Sequence, residues 1–157
     1  PAELAAAKDA FYQEWLETRS VPLRPGAAGL VRWLVEENVP VGVVTGAPRD
    51  AIEKTLHDHG LLPHFAVLIT RERVTRGKPA PDGYQIALRE LGVSAAASAV
   101  SLEDTQDGTL AAKAAGMRSV AIPQPYTAGH DFSAADCVVP SLDAARPWLQ
   151  ALLREAA

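Results

Sequence analysis

The sequence predicts an α/β fold, in which helices cover both faces of a parallel β-sheet. The first observation is that strand-like runs alternate with helical segments of about ten residues along the 157-residue chain. The second is that runs such as VPVGVVT are rich in β-branched residues, which is typical of buried strands. The third is a glycine directly after three of the helical segments, at Gly60, Gly92 and Gly116, where helices commonly end.

Each element follows from its own local pattern. Strands are expected, in chain order, at VPVGVVT, FAVLIT, SAVSLE, RSVAIP and DCVVP. Apolar residues at helical spacing, such as Leu30, Trp33 and Leu34, predict helices. These helices are expected over residues 2–18, 26–37, 50–59, 82–91, 106–115 and 141–154. Asp82 is expected to cap the fourth helix through its side chain.

Composition excludes several classes of protein. Apolar residues make up 48% and charged residues 22% of the chain, as in a single globular domain. A net charge of −4 argues against a nucleic-acid partner. No apolar run is long enough to span a bilayer, so no membrane partner is expected. Cys137 is the sole cysteine, which excludes an internal disulfide and makes a cytoplasmic location the default expectation.

Small and polar residues follow the first strand, at the edge where sheets of this kind bind ligands. Thr45 and Gly46 end that strand, and the next helix directs its first N–H groups to the same place, which favours anion binding. A role in capping the turn would explain Thr45 equally well. Lys78 lies between a glycine and two prolines in RGKPAPDGY, a rigid setting that favours a fixed partner over a solvated charge.

Two carboxylates, Glu103 and Asp104, follow the third strand directly. Adjacent carboxylates repel each other unless a cation lies between them, and magnesium prefers such oxygen ligands. The alternative is that Asp104 caps the next helix beside an unrelated surface acid. Asp107 is expected to have a structural role in the first turn of that helix. His57, His59, His64 and Cys137 are expected to be surface or packing residues rather than ligands or nucleophiles.

The ordered set of VVTGAP, RGKPAPDGY and LEDTQDG resembles three successive motifs of the haloacid dehalogenase-like (HAD) superfamily of hydrolases. The tail PQPYTAGHDFSAADCVVPSL is similar to the CbbY-like branch, near β-phosphoglucomutase and phosphoglycolate phosphatase. The resemblance implies a Rossmann-like core and Mg²⁺-dependent phosphoryl transfer from a small phosphorylated metabolite. It implies that Thr45, Gly46 and Lys78 bind phosphate, with Lys78 and Thr45 in catalytic roles, and that Asp104 and Glu103 hold the metal.

The stretch SLEDTQDGTL also approaches the family's nucleophile signature, Asp-x-Asp-Gly-Thr-Leu. Asp104 and Asp107 are three positions apart, however, whereas that signature requires two. The stretch also follows the lysine loop and precedes the alanine-rich segment AAKAAGM. It therefore resembles the metal loop rather than the nucleophile loop.

One departure from the family pattern concerns the nucleophile itself. Family members begin with a central strand that ends in Asp-x-Asp, and no such motif precedes Thr45. Residues 1–20 resemble the end of a helical cap, and residues 21–157 a core without its first strand, which would leave two inner strand edges unpaired. We expect the complete protein to be a phosphatase or phosphomutase and this chain to be an inactive fragment. The alternative is a non-catalytic module or pseudoenzyme. A dehalogenase is less favoured, because a paired-acid metal loop suits phosphate chemistry.

Overall fold

The computed structural model describes residues 21–156. The helix expected over residues 2–18 and the expected cap segment, residues 1–20, lie outside the described residues. Within residues 21–156, no helix combines the length and the apolar composition needed to cross a bilayer.

Within residues 21–156, five α-helices and five strands confirm the predicted α/β class. The helices are α1 (Ala27–Glu36), α2 (Arg49–Asp58), α3 (Asp82–Glu90), α4 (Gln106–Ala114) and α5 (Leu142–Ala156). The strands are β1 (Val41–Val44), β2 (Phe65–Ile69), β3 (Val100–Glu103), β4 (Arg118–Ala121) and β5 (Cys137–Val138). The third strand begins two residues later than predicted, because Ala96–Ser98 form a turn of 3₁₀ helix.

The strands form two separate parallel sheets rather than one. β1 pairs with β2, and β3, β4 and β5 pair in that order. Residues of β1 and β3 line the same apolar cavity of about 790 Å³, which we call the interstrand slot. Among residues 21–156, β1 and β3 are not paired by backbone hydrogen bonds.

Helices pack on both sides of the strands. On one side, Leu30 and Trp33 of α1 form a cluster with Leu149 of α5 against β3. On the other side, Tyr84 of α3 clusters with Ala111 of α4 against β1. This arrangement of three layers places the carboxyl ends of β1 and β3 at one open end of the slot.

The predicted cap at Asp82 and the alternative cap at Asp104 both differ from the structure. Asp82 does not cap α3, since its carboxylate accepts hydrogen bonds from the guanidinium of Arg76, at 2.7 Å from Nη2. These bonds hold the pKa of Asp82 below its ordinary value. Thr105, not Asp104, caps α4, because its Oγ1 accepts from the N–H of Gly108 at 3.1 Å. The carboxylate of Asp104 is therefore not needed for capping.

Candidate active site

Lys78 joins the carboxyl ends of the two sheets. Its Nζ donates a hydrogen bond to the main-chain oxygen of Val44, the last residue of β1, at 3.0 Å. It also donates to Oε1 of Glu103, the last residue of β3. Thr45 and Asp104 are the next residues in the chain, so the predicted hydroxyl and both predicted acids stand at or next to the two strand ends that Lys78 connects.

Glu103 is a buried carboxylate whose Oε1 already accepts two hydrogen bonds. Its side chain is only 7% exposed, and it accepts hydrogen bonds from Lys78 and from the hydroxyl of Tyr84. Gly108 of α4 lies so close that an added Cβ would overlap Oε2 of the same carboxylate. Glu103 is therefore held by an ammonium group, a phenol and a glycine backbone, and it orients Lys78.

Tyr84 is a site residue that the sequence analysis missed. It lies on the buried face of α3, and the Lys78 ammonium is 5.2 Å from the centre of its ring. Burial, followed by the negative charge of Glu103, raises the pKa of its hydroxyl well above the ordinary value. The hydroxyl therefore stays protonated and donates to Glu103. In the sequence, its role was indicated only by its position inside RGKPAPDGY, six residues after Lys78.

Thr45 and Gly46 lie in the turn after β1. The hydroxyl oxygen of Thr45 accepts from the N–H of Ala47 at 3.0 Å, so the turn-capping interaction is present. No atom lies within 4 Å of the position that a Cβ on Gly46 would take. Gly46 and Lys78 both line a cavity of about 240 Å³. Arg76 lines the same cavity, but its guanidinium is paired with Asp82 and the Lys78 ammonium with Glu103, so an anion would share both positive charges with these carboxylates.

The start of α2 offers fewer free N–H groups than the sequence suggested. The N–H of Arg49 donates to Oε1 of Glu72 at 3.4 Å. The N–H of Ala51 donates to Oδ1 of Asp50 at 2.9 Å. Because acidic side chains already accept from these two donors, the exposed backbone at Gly46 is the better place for an anion.

Asp104 is the accessible carboxylate at the edge of the sheet. It is half-buried, and its Oδ2 accepts from the hydroxyl of Tyr126 at 3.2 Å. The side chain of Tyr126 is 77% exposed, and burial together with the charge of Asp104 raises the pKa of its phenol. Displacing one exposed phenol would free both oxygens of Asp104.

The carboxylate oxygens at this edge match the ligands with which proteins hold magnesium. Magnesium is commonly bound by one or two carboxylates, with water and substrate phosphate as the other ligands. Asp104 supplies one such carboxylate, whereas the carboxylate of Glu103 is bound to Lys78 and Tyr84. No three His, Cys, Asp or Glu side chains of the described residues cluster as a metal site. The residues fit a magnesium ion held by Asp104 and otherwise by water and phosphate.

His59 and His57 have partners other than the residues of the crevice. His59 Nε2 lies 2.7 Å from the main-chain oxygen of Val21. His57 Nδ1 is 3.9 Å from Oδ1 of its neighbour Asp58. Cys137 is half-buried in β5 with no disulfide partner.

A lysine, a hydroxyl and two acids thus lie at or next to the strand ends at the carboxyl edge of a parallel α/β core. The sequence matches the haloacid dehalogenase-like hydrolase family over residues 2–116. The chain therefore belongs to that family, which confirms the predicted membership.

Individual relatives place the chain in the predicted branch. It is 37% identical over 147 residues to protein CbbY of Rhodobacter capsulatus, covering 92% of this chain and 64% of that one. It is 43% identical over 109 residues to validoxylamine A 7′-phosphate phosphatase of Streptomyces hygroscopicus subsp. limoneus, covering 69% and 49% of the two chains. The crystal structure of CbbY from Rhodobacter sphaeroides in complex with phosphate has a TM-score of 0.80 at 32% identity. That match covers 89% of this chain and 63% of the other. The chain thus spans between 49% and 64% of the length of these two curated relatives.

Proposed function

We propose that the complete protein is a magnesium-dependent phosphatase that acts on a small phosphorylated metabolite. A phosphomutase, which transfers the phosphoryl group by the same chemistry, is the related possibility. The observation that carries the proposal is the position of Lys78, whose ammonium group joins the ends of β1 and β3. A fixed positive charge beside an open backbone turn suits the binding of a phosphoryl group.

Each side chain of the crevice has a role in this proposal. The Lys78 ammonium neutralises phosphate charge and keeps it in place. The hydroxyl of Thr45 and the main chain at Gly46 bind phosphate oxygens, since an exposed glycine lets an anion approach the backbone closely. Glu103 and Tyr84 hold Lys78 in position through the hydrogen bonds at Oε1 of Glu103.

Asp104 is the residue that would hold magnesium, with Glu103 supporting it from the adjacent position. When bound, the metal supplies positive charge that neutralises the phosphate and aligns it for in-line attack. The phenol of Tyr126 leaves the Asp104 carboxylate in that state. A magnesium titration monitored by NMR would report this as a chemical-shift change at Tyr126.

The relatives support the substrate class. Several of the similar proteins are named as phosphatases, among them the validoxylamine A 7′-phosphate phosphatase and hexitol phosphatase B of Escherichia coli. Another crystal structure of CbbY from Rhodobacter sphaeroides contains xylulose-(1,5)bisphosphate. A sugar phosphate or a similarly small phosphate ester is therefore the first class to screen.

The alternative is a non-catalytic module or pseudoenzyme of the same fold. The observation that favours it is the absence of an Asp-x-Asp motif before Thr45 in the sequence. We propose accordingly that the 157-residue chain has no turnover by itself. The encoding DNA separates the two candidates. An in-frame upstream segment with Asp-x-Asp-Gly favours the enzyme, whereas a start codon directly before Pro1 favours the module.

The test is a phosphatase screen of sugar phosphates and phosphoglycolate on the protein expressed from its full reading frame. Magnesium-dependent release of phosphate is expected, together with a loss of at least about a hundredfold in Asp104→Asn. Asp107→Asn is the matched control, because it makes the same change three residues later on an exposed first turn. Unchanged turnover in Asp104→Asn would remove the metal assignment, and turnover by the 157-residue chain alone would refute the fragment proposal.

A further inference from the structure

A buried serine lies behind the carboxylate of Glu103. Side chains along a strand alternate between its two faces, so Ser101 shares the face of Glu103, two residues later in β3. Both residues are buried, and on this face Glu103 contacts Tyr84 of α3. Val100 and Leu102 point to the opposite face, where they pack against the cluster of α1 and α5. Ser101 is therefore buried on the same side of β3 as the carboxylate that holds the lysine.

Ser119 continues this polar face onto the neighbouring strand. β3 and β4 pair in parallel with Ser101 directly opposite Ser119, and the two hydroxyl oxygens lie 2.8 Å apart. Ser119 is fully buried. Its main-chain N–H donates to the carboxylate of Asp136 at 2.7 Å, so that bond does not involve the hydroxyl. The side chain of Ser119 therefore has the hydroxyl of Ser101 as its partner.

The serine pair meets the phenol of Tyr84, which lines the same cavity as Ser101. Burial is the main cause that raises the pKa of this phenol, and a hydrogen bond with Ser101 acts in the opposite direction. A hydrogen bond lowers the pKa of a phenol when the phenol oxygen is the acceptor, so Ser101 is the donor. The other acceptor near Ser101 is the main-chain oxygen of Arg118, which is more distant at 3.4 Å.

The number of protons gives these bonds a direction. A hydroxyl carries one proton, which rotates to either neighbour. Tyr84 donates its proton to Oε1 of Glu103. With the proton of Ser101 donated to Tyr84, the proton of Ser119 supplies the bond between the two serines. The hydroxyls of Ser119, Ser101 and Tyr84, which we call the hydroxyl row, thus all donate towards Glu103.

The hydroxyl row crosses an apolar part of the core. Tyr84 belongs to a cluster whose other buried members are Leu88, Ala111, Ala112 and Met117. A buried hydroxyl costs free energy unless it is hydrogen-bonded, whereas alanine or valine in these strands would need no partner. The row ends at Oε1 of Glu103, the atom to which Lys78 also donates. Successive bonds in such a row polarise one another, so a change at its far end is felt at the carboxylate.

We propose that Ser101 and Ser119 are positioning residues for Lys78, which act through Tyr84 and Glu103. Ser101 fixes the direction of the Tyr84 hydroxyl and thereby the position of Oε1 in Glu103, and Ser119 fixes the direction of the Ser101 hydroxyl. The ammonium group of Lys78 is thus kept at the carboxyl ends of β1 and β3. The effect on turnover rests on the proposed function, whereas the effect on the positions of Tyr84 and Lys78 does not.

The kinetic test uses the protein expressed from its full reading frame. Ser101→Ala should lower kcat for phosphate release by about tenfold, because a displaced ammonium group stabilises the transition state less well. KM should change by less than about threefold, since the charge of Lys78 remains available to bind the substrate. Ser119→Ala should lower kcat by about threefold, because it acts one bond farther away. Ser101→Thr keeps the hydroxyl and should restore most of kcat.

A stability control and a double variant separate positioning from general damage. Ser141→Ala makes the same chemical change at the start of α5, where the hydroxyl accepts from the N–H of Ala144 at 3.1 Å. It should lower the melting temperature and leave kcat unchanged. In a Tyr84→Phe background, Ser101→Ala should have no further effect on kcat, because the connection to Glu103 is already lost.

A spectroscopic test on the 157-residue chain does not depend on turnover. The hydroxyl proton of Tyr84 is followed by NMR and assigned by its loss in Tyr84→Phe. Ser119→Ala should move this resonance upfield, although Ser119 contacts Ser101 rather than Tyr84, because one lost donor weakens the next bond in the row. The ammonium resonance of Lys78 should move in the same variant, and Ser141→Ala should move neither.

Three outcomes would overturn the proposal. The first is an active full protein in which Ser101→Ala leaves kcat unchanged or lowers it no more than Ser141→Ala does. The second is a loss in Ser101→Ala that persists in the Tyr84→Phe background. The third is a Tyr84 hydroxyl resonance that stays in place in Ser119→Ala. A full protein that releases no phosphate would refute the proposed function alone, and shifts at Tyr84 and Lys78 would then still support the hydroxyl row.

Discussion

The Nζ of Lys78 lies 3.0 Å from the main-chain oxygen of Val44 and also donates to the carboxylate of Glu103. One ammonium group thus bridges two sheets that share no ladder among the described residues. The proposed catalytic lysine is therefore also a structural connection, and its removal should affect stability as well as phosphate binding.

Replacing Lys78 with methionine should destabilise the fold by about 2–3 kcal/mol, because it leaves the buried carboxylate of Glu103 without its charged partner. The Lys78→Met/Glu103→Gln double variant should recover part of that loss, which gives a coupling energy of about 1–2 kcal/mol. Urea denaturation of Lys78→Met, Glu103→Gln and the double variant gives this coupling energy. Lys54→Met is the matched control, since Lys54 pairs with Asp58 at the surface and should cost less than about 1 kcal/mol. Equal losses at Lys78 and Lys54 would contradict the buried pair.

Tyr84→Phe should cost about 1–3 kcal/mol, because it deletes the hydroxyl that donates to the buried carboxylate of Glu103. Tyr126→Phe removes the same atom from an exposed ring that donates to Asp104, and its cost should stay below about 1 kcal/mol. In a Glu103→Gln background the Tyr84→Phe effect should shrink. A shift of the urea midpoint that is the same in both backgrounds would show that Tyr84 does not act through Glu103.

Gly108→Ala should destabilise the protein by about 2 kcal/mol or more, although alanine is the better helix former. The cause is the overlap of the new Cβ with the Glu103 carboxylate, which the buried surroundings hold in place. Gly29→Ala in α1 is the control, since no atom lies within 4 Å of its Cβ position. That variant should gain about 0.5–1 kcal/mol. Thermal denaturation that moves both variants in the same direction would rule out the close contact at Gly108.

The ionised carboxylate of Asp136 should increase the free energy of unfolding, and this contribution should be lost in acid. Its carboxylate accepts from Lys113 Nζ at 2.8 Å and from the N–H of Ser119 at 2.7 Å, and these bonds, that of Lys113 first, lower its pKa. Because the folded pKa lies below the unfolded value of about 3.9, the stabilisation is complete well above pH 4. It is lost as the pH falls through the folded pKa.

The measurement is the melting temperature of the native chain and of Asp136→Asn from pH 7 down to about pH 2. At pH 7 the variant should melt about 2–4 °C lower, which corresponds to roughly 1 kcal/mol for a partly exposed group. The two curves should converge in acid. Lys113→Met should show part of the effect, since the N–H of Ser119 remains. A constant difference across this range would argue against titration of Asp136.

Local pattern was sufficient for the class of fold and for the order of its elements. The three glycines expected after helices, Gly60, Gly92 and Gly116, adopt positive φ angles of 66°, 69° and 82°. The runs rich in β-branched residues predicted all five strands, and each predicted end lies within two residues of the observed end. Such residues favour the extended backbone of a buried strand.

The partners of side chains were not predictable from the same patterns. Tyr84 was missed because its partner Glu103 lies nineteen residues away, on a strand whose approach to α3 depends on the whole fold. Asp82 was assigned to a cap because the sequence does not show that Arg76 folds back onto it. Local rules describe neighbours along the chain, whereas the crevice is built from contacts between distant segments.

The absence of a ladder between β1 and β3 also bears on how the molecule unfolds. Cooperativity across a sheet normally depends on its backbone hydrogen bonds, and here the two halves are linked by helix packing, by Lys78 and by the hydrogen bond from Tyr84 to Glu103. The half with β1 and β2 should open at a lower free energy than the half with β3, β4 and β5, so that native-state exchange would resolve two subglobal units.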